Sequence, residues 1–304
     1  MTKTHSSNSP SGFENSQAVP ISLPSRLYQT IGMYASLLPF VLLVCMFILA
    51  PLAWIAFNAF HNEAGDLTMS NLKEVFGSEF YLQALGQSLK ISILSSVVSL
   101  FIGFQGAYSL HAIKDTKLGN ILVAVNTILS NFSGVPLAFA MMIVFGSSGV
   151  MTLIFASFGI ESLIDIYSFN GILLSYIYFQ IPLAILLLFP AISGLEKQWQ
   201  ESAHLLGASS FQYFFKIALP ILSPALLGTF IILFANALGA YATAYALTAG
   251  SFNILPIRIS TLIAGNLTLQ PNMAAALALI LVALMFVITI VQQFLVSRYH
   301  IETK

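Results

Sequence analysis

Six apolar runs, each long enough to cross a lipid bilayer as a helix, constrain this 304-residue chain more than any other feature of its sequence. A helix needs roughly 20 apolar residues to traverse a hydrocarbon core about 30 Å thick. The runs are about Tyr34–Phe60, Leu89–Ala112, Ile121–Phe145, Ile172–Leu195, Pro224–Leu247 and Met273–Val296. Their interiors are nearly free of charge, as expected when Lys, Arg or Asp at a helix centre costs roughly 2.5–3.5 kcal/mol on insertion. Lys90 stands at a span edge, from which its side chain reaches the interface. The expected fold class is all-α: a polytopic transmembrane helical bundle of six spans. The apolar run Gly149–Gly159 is too short to span and is expected to be re-entrant or interfacial.

Composition removes the competing classes. Apolar residues make up 58% of the chain and charged residues 7%, against roughly 25% charged in soluble domains. A soluble enzyme so poor in charge would lack a solvated surface, and a disordered chain would be far less apolar. Formal net charge is zero, so nothing points to a nucleic-acid partner. Cys45 is the single cysteine, which leaves no disulfide framework and no cysteine zinc site. No catalytic, cofactor or metal site is expected in this chain. Residues 1–27, rich in Ser, Asn and Pro, are expected to be a flexible tail, and residues 28–304 a transmembrane domain. Met1–Arg26 does not read as a signal peptide, because the apolar run that follows is too long.

Orientation follows from where Lys and Arg fall in short loops. Lys114 and Lys117 lie between the second and third spans, and Lys197 and Lys216 between the fourth and fifth. The tails carry Lys3, Arg26, Arg298 and Lys304. The opposite loops hold Lys73 and Arg258 with Glu63, Asp66, Glu74, Glu79, Glu161 and Asp165. Both termini are therefore expected in the cytoplasm of a bacterial cell, with the chain crossing its inner membrane several times.

The loop between the fourth and fifth spans carries a pattern. Trp199, Ala203 and Leu206 recur at helical spacing, with Glu196, Gln200 and His204 opposite. Gly207 ends that piece. Phe211, Phe214, Phe215 and Ala218 form a second apolar stripe, with Ser209, Gln212, Tyr213 and Lys216 opposite, before Pro220 and Pro224. Periodicity alone fits a helix pair resting on the lipid interface. The residues add more. Glu201-Ser202-Ala203, three residues, Gly207, nine residues, then Ile217-Ala218-Leu219-Pro220 resembles the EAA signature, E-A-A-x3-G-x9-I-x-L-P, with Ser202 its one departure. On these residues the chain is similar to the MetI-like permease subunits of binding-protein-dependent ABC importers. The resemblance extends over Asn120–Thr248, including Pro136 and Gln180-Ile181-Pro182, and sets the importer core at about 88–297 and the coupling loop at 195–221. Span five, from Asn236 to Tyr245, resembles the polyamine-type branch, which includes permeases for ferric iron and for phosphonates.

The resemblance implies a coupling helix that docks on a cytoplasmic ABC ATPase subunit. Glu201, Ser202, Ala203, Gly207, Ile217, Leu219 and Pro220 are its coupling residues, and Glu201 the one most exposed to the partner. It also implies a second permease chain, identical or homologous, and an extracytoplasmic solute-binding protein, all around a lipid bilayer. No G-x-x-x-x-G-K-[ST] occurs, so ATP would be bound by the partner. The competing class is an ion-coupled secondary transporter. No Asp or Glu lies within a span, which disfavours proton coupling. Gly146-Ser147-Ser148-Gly149 matches the G-x-S-G of rhomboid-type proteases, but His111 and His204 fall on the other side of the membrane and His61 in a different loop. It reads as a turn. Among polar residues in the spans, Asn126, Asn131, Gln180, Asn236, Tyr241 and Tyr245 are candidates for a substrate pathway, with helix-to-helix hydrogen bonding as the competing role.

Overall fold

A computed structural model of the chain describes residues 37–159, 165–265 and 269–301, the stretch 295–301 by backbone alone. The expected tail and Glu161 lie outside these residues. The chain groups into two units, Met1–Trp54 and Ile55–Lys304. Apart from one isolated bridge between His61 and Leu67, the described secondary structure is helical.

The first helix, α1, is Leu37–Ala59. It contains a π-helical turn at Cys45–Leu49, where the Ala50 N–H reaches back five residues to the Cys45 carbonyl. The cause is Pro51. It has no N–H to give to Phe47, and its ring would press on that carbonyl in a regular helix. Widening the preceding turn relieves the clash.

The second unit continues with α2 (Ser70–Gly77), α3 (Glu79–Ala112), α4 (Lys117–Ser130), α5 (Gly134–Phe145), α6 (Val150–Ser157), α7 (Phe169–Ser193) and α8 (Lys197–Leu205). Then come α9 (Ser210–Leu238, with a π turn at Phe214–Ala218), α10 (Ala242–Thr248), α11 (Leu255–Ala264) and α12 (Pro271–Ile301). Among the described residues, six stretches are long and apolar enough to span a membrane: Leu37–Ala59, Glu79–Ala112, Gly134–Ser157, Phe169–Ser193, Ser210–Leu238 and Pro271–Phe294, with mean hydropathy from 1.6 to 3.0.

Two expected spans are broken. The run Ile121–Phe145 divides at Asn131–Ser133 into α4 and α5, because Ser133 is extended and Gly134 sits at φ +70. The spanning length comes instead from α5 with α6, so the run read as re-entrant contributes a helix. The run Pro224–Leu247 divides at Gly239–Tyr241 into α9 and α10. In the other direction, α3 begins ten residues before the expected Leu89, at Glu79. The residues Ala84 and Leu277 share a buried cluster there, so tertiary packing holds helix that hydropathy did not show.

Packing centres on α3, whose most extensive partner is α7. Lipid tails are as apolar as the helices, so close approach and hydrogen bonds must hold them together. A Cβ on Gly103 would lie 2.4 Å from the Ala184 Cβ, and one on Gly106 would lie 2.8 Å from Ile185 Cδ1. Serines 92, 95, 96 and 99 are buried along the same face. Gln180, fully buried on α7, donates through Nε2 to Ser95 Oγ at 2.8 Å and accepts from Ser96 Oγ at 3.2 Å. Ser99 Oγ donates to the Ile177 carbonyl at 3.2 Å. Asn126 on α4 donates to the Pro182 carbonyl at 3.0 Å. Pro182 interrupts the ladder of α7, so this polar seam lies where the helix is short of hydrogen bonds of its own.

This seam makes Gly103 and Gly86 opposites, although both sit inside α3. Gly103→Val should destabilise the fold by about 1–3 kcal/mol through overpacking, lowering membrane abundance and melting temperature. Gly86 has open space around the position of a Cβ. Gly86→Ala should be neutral or stabilising by up to about 1 kcal/mol, since alanine favours helix. Thermal melts of the two purified variants check the pair.

Candidate functional site

Both helix breaks open onto one cavity of about 430 Å³. Ser133 and Gly134 line it from the α4–α5 break, Asn236 and Tyr241 from the α9–α10 break, and Phe179 from α7. No charged side chain lines it. Broken helices free main-chain groups, and inside a membrane protein these must be met by neighbours or by water in a cavity. The first route is visible. Tyr176 OH donates to the Ala240 carbonyl, and Thr243 Oγ1 donates to the Gly134 carbonyl at 3.3 Å. Each hydroxyl reaches across to a carbonyl at one of the breaks. Gly134 needs its glycine for the left-handed φ. Pro136 falls in the first turn of α5, where no N–H is required of it.

The structure separates the six pathway candidates. Asn236 and Tyr241 line the cavity, and Tyr245 lies against Tyr241 with ring centroids 5.0 Å apart. Tyr241 OH accepts from Ser260 Oγ at 3.0 Å, which fixes its ring. The other three serve helix contacts. Gln180 is sealed in the α3–α7 seam, Asn126 holds the Pro182 carbonyl, and Asn131 donates to the Thr127 carbonyl at the end of its own helix, at 3.0 Å. Ser133, Gly134 and Phe179 also line the cavity and were not singled out from the sequence. The Ser-Gly-x-Pro run at 133–136 was the available signal, since it marks a helix start inside an apolar run.

The second site is the α8–α9 loop. The α8 helix ends in a Schellman motif around Gly207 at φ +82. The Ala208 N–H bonds the Ala203 carbonyl at 3.0 Å and the Gly207 N–H the His204 carbonyl at 2.9 Å. Ser209 and Gln212 then form a capping box that starts α9. Behind the turn, Ala203, Tyr213 and Ala218 pack as a small buried cluster. Tyr213 was expected on the polar face. The π turn explains the difference: the Leu219 N–H reaches back five residues to Phe214, because Pro220 cannot serve the Lys216 carbonyl. Residues five apart, Tyr213 and Ala218, thereby share a face. In front of the turn, three large apolar side chains stay uncovered. Leu205 and Leu206 are each 89% exposed and Phe211 71%. Lys197 and Glu201 pair at 3.7 Å on the exposed face of α8, a contact that stabilises by little. Gly146–Gly149 is a turn, closed by the Gly149 N–H on the Gly146 carbonyl at 2.8 Å.

A family model for the inner membrane component of binding-protein-dependent transport systems matches residues 22–301. A putative ferric transport system permease protein of Haemophilus influenzae is 28% identical over 235 residues, covering 76% of this chain and 36% of that protein. A spermidine/putrescine transport system permease protein of the same species is 23% identical over 277 residues, covering 90% of this chain and 96% of that protein. The chain thus spans little more than a third of the length of the ferric relatives and nearly all of the polyamine one. A chain in the crystal structure of a bacterial ABC transporter involved in the import of alginate superposes with a TM-score of 0.73 at 18% identity, covering 90% of this chain and 99% of that one. The two share a fold.

Solvent access distinguishes the cavity from the seam. In a Cys45→Ser background, Asn236→Cys should react with a small water-soluble thiol reagent. Gln180→Cys should react at least about ten-fold more slowly, because a buried thiol is neither ionised nor reached. Labelling rates on the native and denatured protein give the comparison.

Proposed function

This chain belongs to the binding-protein-dependent transport system inner membrane components, and from that premise we propose that it is the permease subunit of an ABC importer. The observation that carries the reading is the α8–α9 loop: an apolar tip, Leu205, Leu206 and Phe211, left bare on a turn whose back is firmly packed. Such a tip fits a groove on another protein better than it fits water. The partner is a cytoplasmic ABC ATPase, which binds and hydrolyses the ATP. Glu201, Ser202, Ala203, Gly207, Ile217, Leu219 and Pro220 form the coupling element. Glu201 is exposed for contact, Ala203 is buried to hold the helix, and Pro220 sets the π turn that aims it.

Solute passes by way of the cavity at the two helix breaks, with Asn236, Tyr241 and the adjacent Tyr245 on its path. Hydroxyl, amide and main-chain groups are what it offers a solute. Discrimination among solutes therefore rests largely on an extracytoplasmic binding protein. A second permease chain completes the pathway. The relatives named for ferric and for spermidine/putrescine transport make cationic solutes the first to test. Lys114, Lys117, Lys197 and Lys216 favour the α8–α9 loop on the cytoplasmic side.

Gly207 and Glu201 test the coupling element. A residue other than glycine at φ +82 is strained by about 1–2 kcal/mol, more if β-branched. Asn tolerates that conformation, and open space surrounds the position of a Cβ. Gly207→Val and Glu201→Lys should insert at near-normal levels and lose uptake, whereas Gly207→Asn should import. Glu201→Lys should also release the ATPase on purification. Uptake, membrane abundance and ATPase co-purification are measured in one background, and import at the parental rate by both defective variants overturns the assignment. Orientation is tested apart from this: cysteines at Ser70 and Ser251 should label from outside the cell, and those at Lys117 and Gln212 should not.

A further inference from the structure

A second cavity, of about 600 Å³, lies between the end of α3, the end of α7, α8 and the start of α9. Its floor is apolar and comes from within the spans: Phe104, Ile192 and Leu222. Phe104 stands eight residues before the end of α3, about 12 Å along the helix axis. Its rim comes from beyond the helix ends and is charged: Lys114 and Asp115 follow α3, and Glu196 and Lys197 follow α7. Over one cavity the lining changes from hydrocarbon-like to ionic, in the order in which a bilayer leaflet changes from acyl chain to headgroup.

The rim charges are not neutralised among themselves. Among the described residues the one ion pair is Lys197–Glu201 at 3.7 Å, with both side chains largely exposed; Lys114, Asp115 and Glu196 form none. Two cations and two carboxylates around an apolar-floored cavity call for an occupant with both signs of charge on one head. We infer that this cavity seats a single zwitterionic phospholipid whose headgroup bears a primary ammonium, phosphatidylethanolamine in chemistry. Lys114 and Lys197 meet the phosphate, and Asp115 and Glu196 accept hydrogen bonds from the ammonium. A choline head has no N–H to give, and an anionic glycerol head leaves two carboxylates facing a negative charge. The lipid spans the gap between the end of α3 and α8, so it braces the α8–α9 loop against the bundle. The inference rests on the membrane reading of the chain and not on the identity of its partners.

The test is lipid retention by the full chain. The protein is extracted in mild detergent from nanodiscs holding phosphatidylglycerol mixed with either phosphatidylethanolamine or phosphatidylcholine, and bound lipid is counted by native mass spectrometry. One phosphatidylethanolamine per chain should be retained, with neither of the others. Lys114→Ala and Glu196→Ala should each lower retention about five-fold, the scale of an exposed charge contact, while Lys114→Arg keeps it. Helical content by circular dichroism in detergent, unchanged in these variants, shows that the fold is intact. Equal retention of the choline lipid, or retention undiminished in both alanine variants, overturns the inference. So does soluble glycerophosphoethanolamine binding as tightly as the diacyl lipid, which would assign the site to a free solute. Retention is read without ATP or partner, so a failed uptake assay and a failed lipid assay cannot be mistaken for one another.

Discussion

In hydrocarbon, a backbone N–H or C=O without a partner costs several kcal/mol, and at five places among the described residues an interruption of regular helix has a named donor or a named proline. At Gly134 and Ala240 the freed carbonyls receive hydroxyls from Thr243 and Tyr176. At Pro182 the interrupted α7 ladder lies beside the serines of α3 and beside Asn126. At Pro51 and Pro220 the preceding turn widens. The cavity at the two helix breaks and the bare α8–α9 loop both arise at such places. Irregularity and the two candidate sites coincide because only a lined cavity or a polar end of the bundle tolerates an irregular backbone.

On the proposed function, the two sites also divide the mechanical work. Moving a two-state equilibrium from 1:99 to 99:1 takes about 5.5 kcal/mol of differential binding. A loop that delivers such a bias must not absorb it by bending. The Schellman turn at Gly207, the Ser209–Gln212 box and the Tyr213 cluster remove the soft torsions between α8 and α9. Further in, the Phe104 and Phe214 rings stand 6.0 Å apart, so the start of α9 also bears on α3. From α3, contact passes through the tight Gly103–Ala184 approach to α7, which carries Phe179 to the solute cavity.

Much of this was legible in the residues, and what was not has physical causes. Hydropathy gave the number of crossings, because a span must be apolar whatever it packs against, but it set the third at Ile121–Phe145 where the structure has Gly134–Ser157. It hid both breaks, since Asn131–Ser133 and Gly239–Tyr241 are each too short to interrupt an apolar window. The α8–α9 loop was readable by its spacing, which reflects a local turn. Tyr213 was placed on the wrong face because a 3.6-residue period cannot anticipate a π turn. Asn236 stood ahead of Gln180 and Asn126 in sequence only by its place in the span after the α8–α9 loop. Their separation into seam and cavity depends on Ser95, Ser96 and Pro182, partners that only the assembled bundle brings near.

The π turn at Phe214–Ala218 carries a further consequence, for phase. It holds one residue more than a regular turn would, across the Ile217 end of the nine-residue spacing that follows Gly207. Each residue of an α-helix advances the chain by about 100° and 1.5 Å. Loss of a single residue from the regular part of α9, Leu227 for one, where no wide turn absorbs the change, would leave the spans as apolar as before, yet it would swing everything N-terminal to it, Gly207 and the bare tip of α8 included, by more than a quarter of a revolution about the axis of α9. A frame-preserving deletion that no hydropathy profile would register would thus point the loop away from any fixed groove.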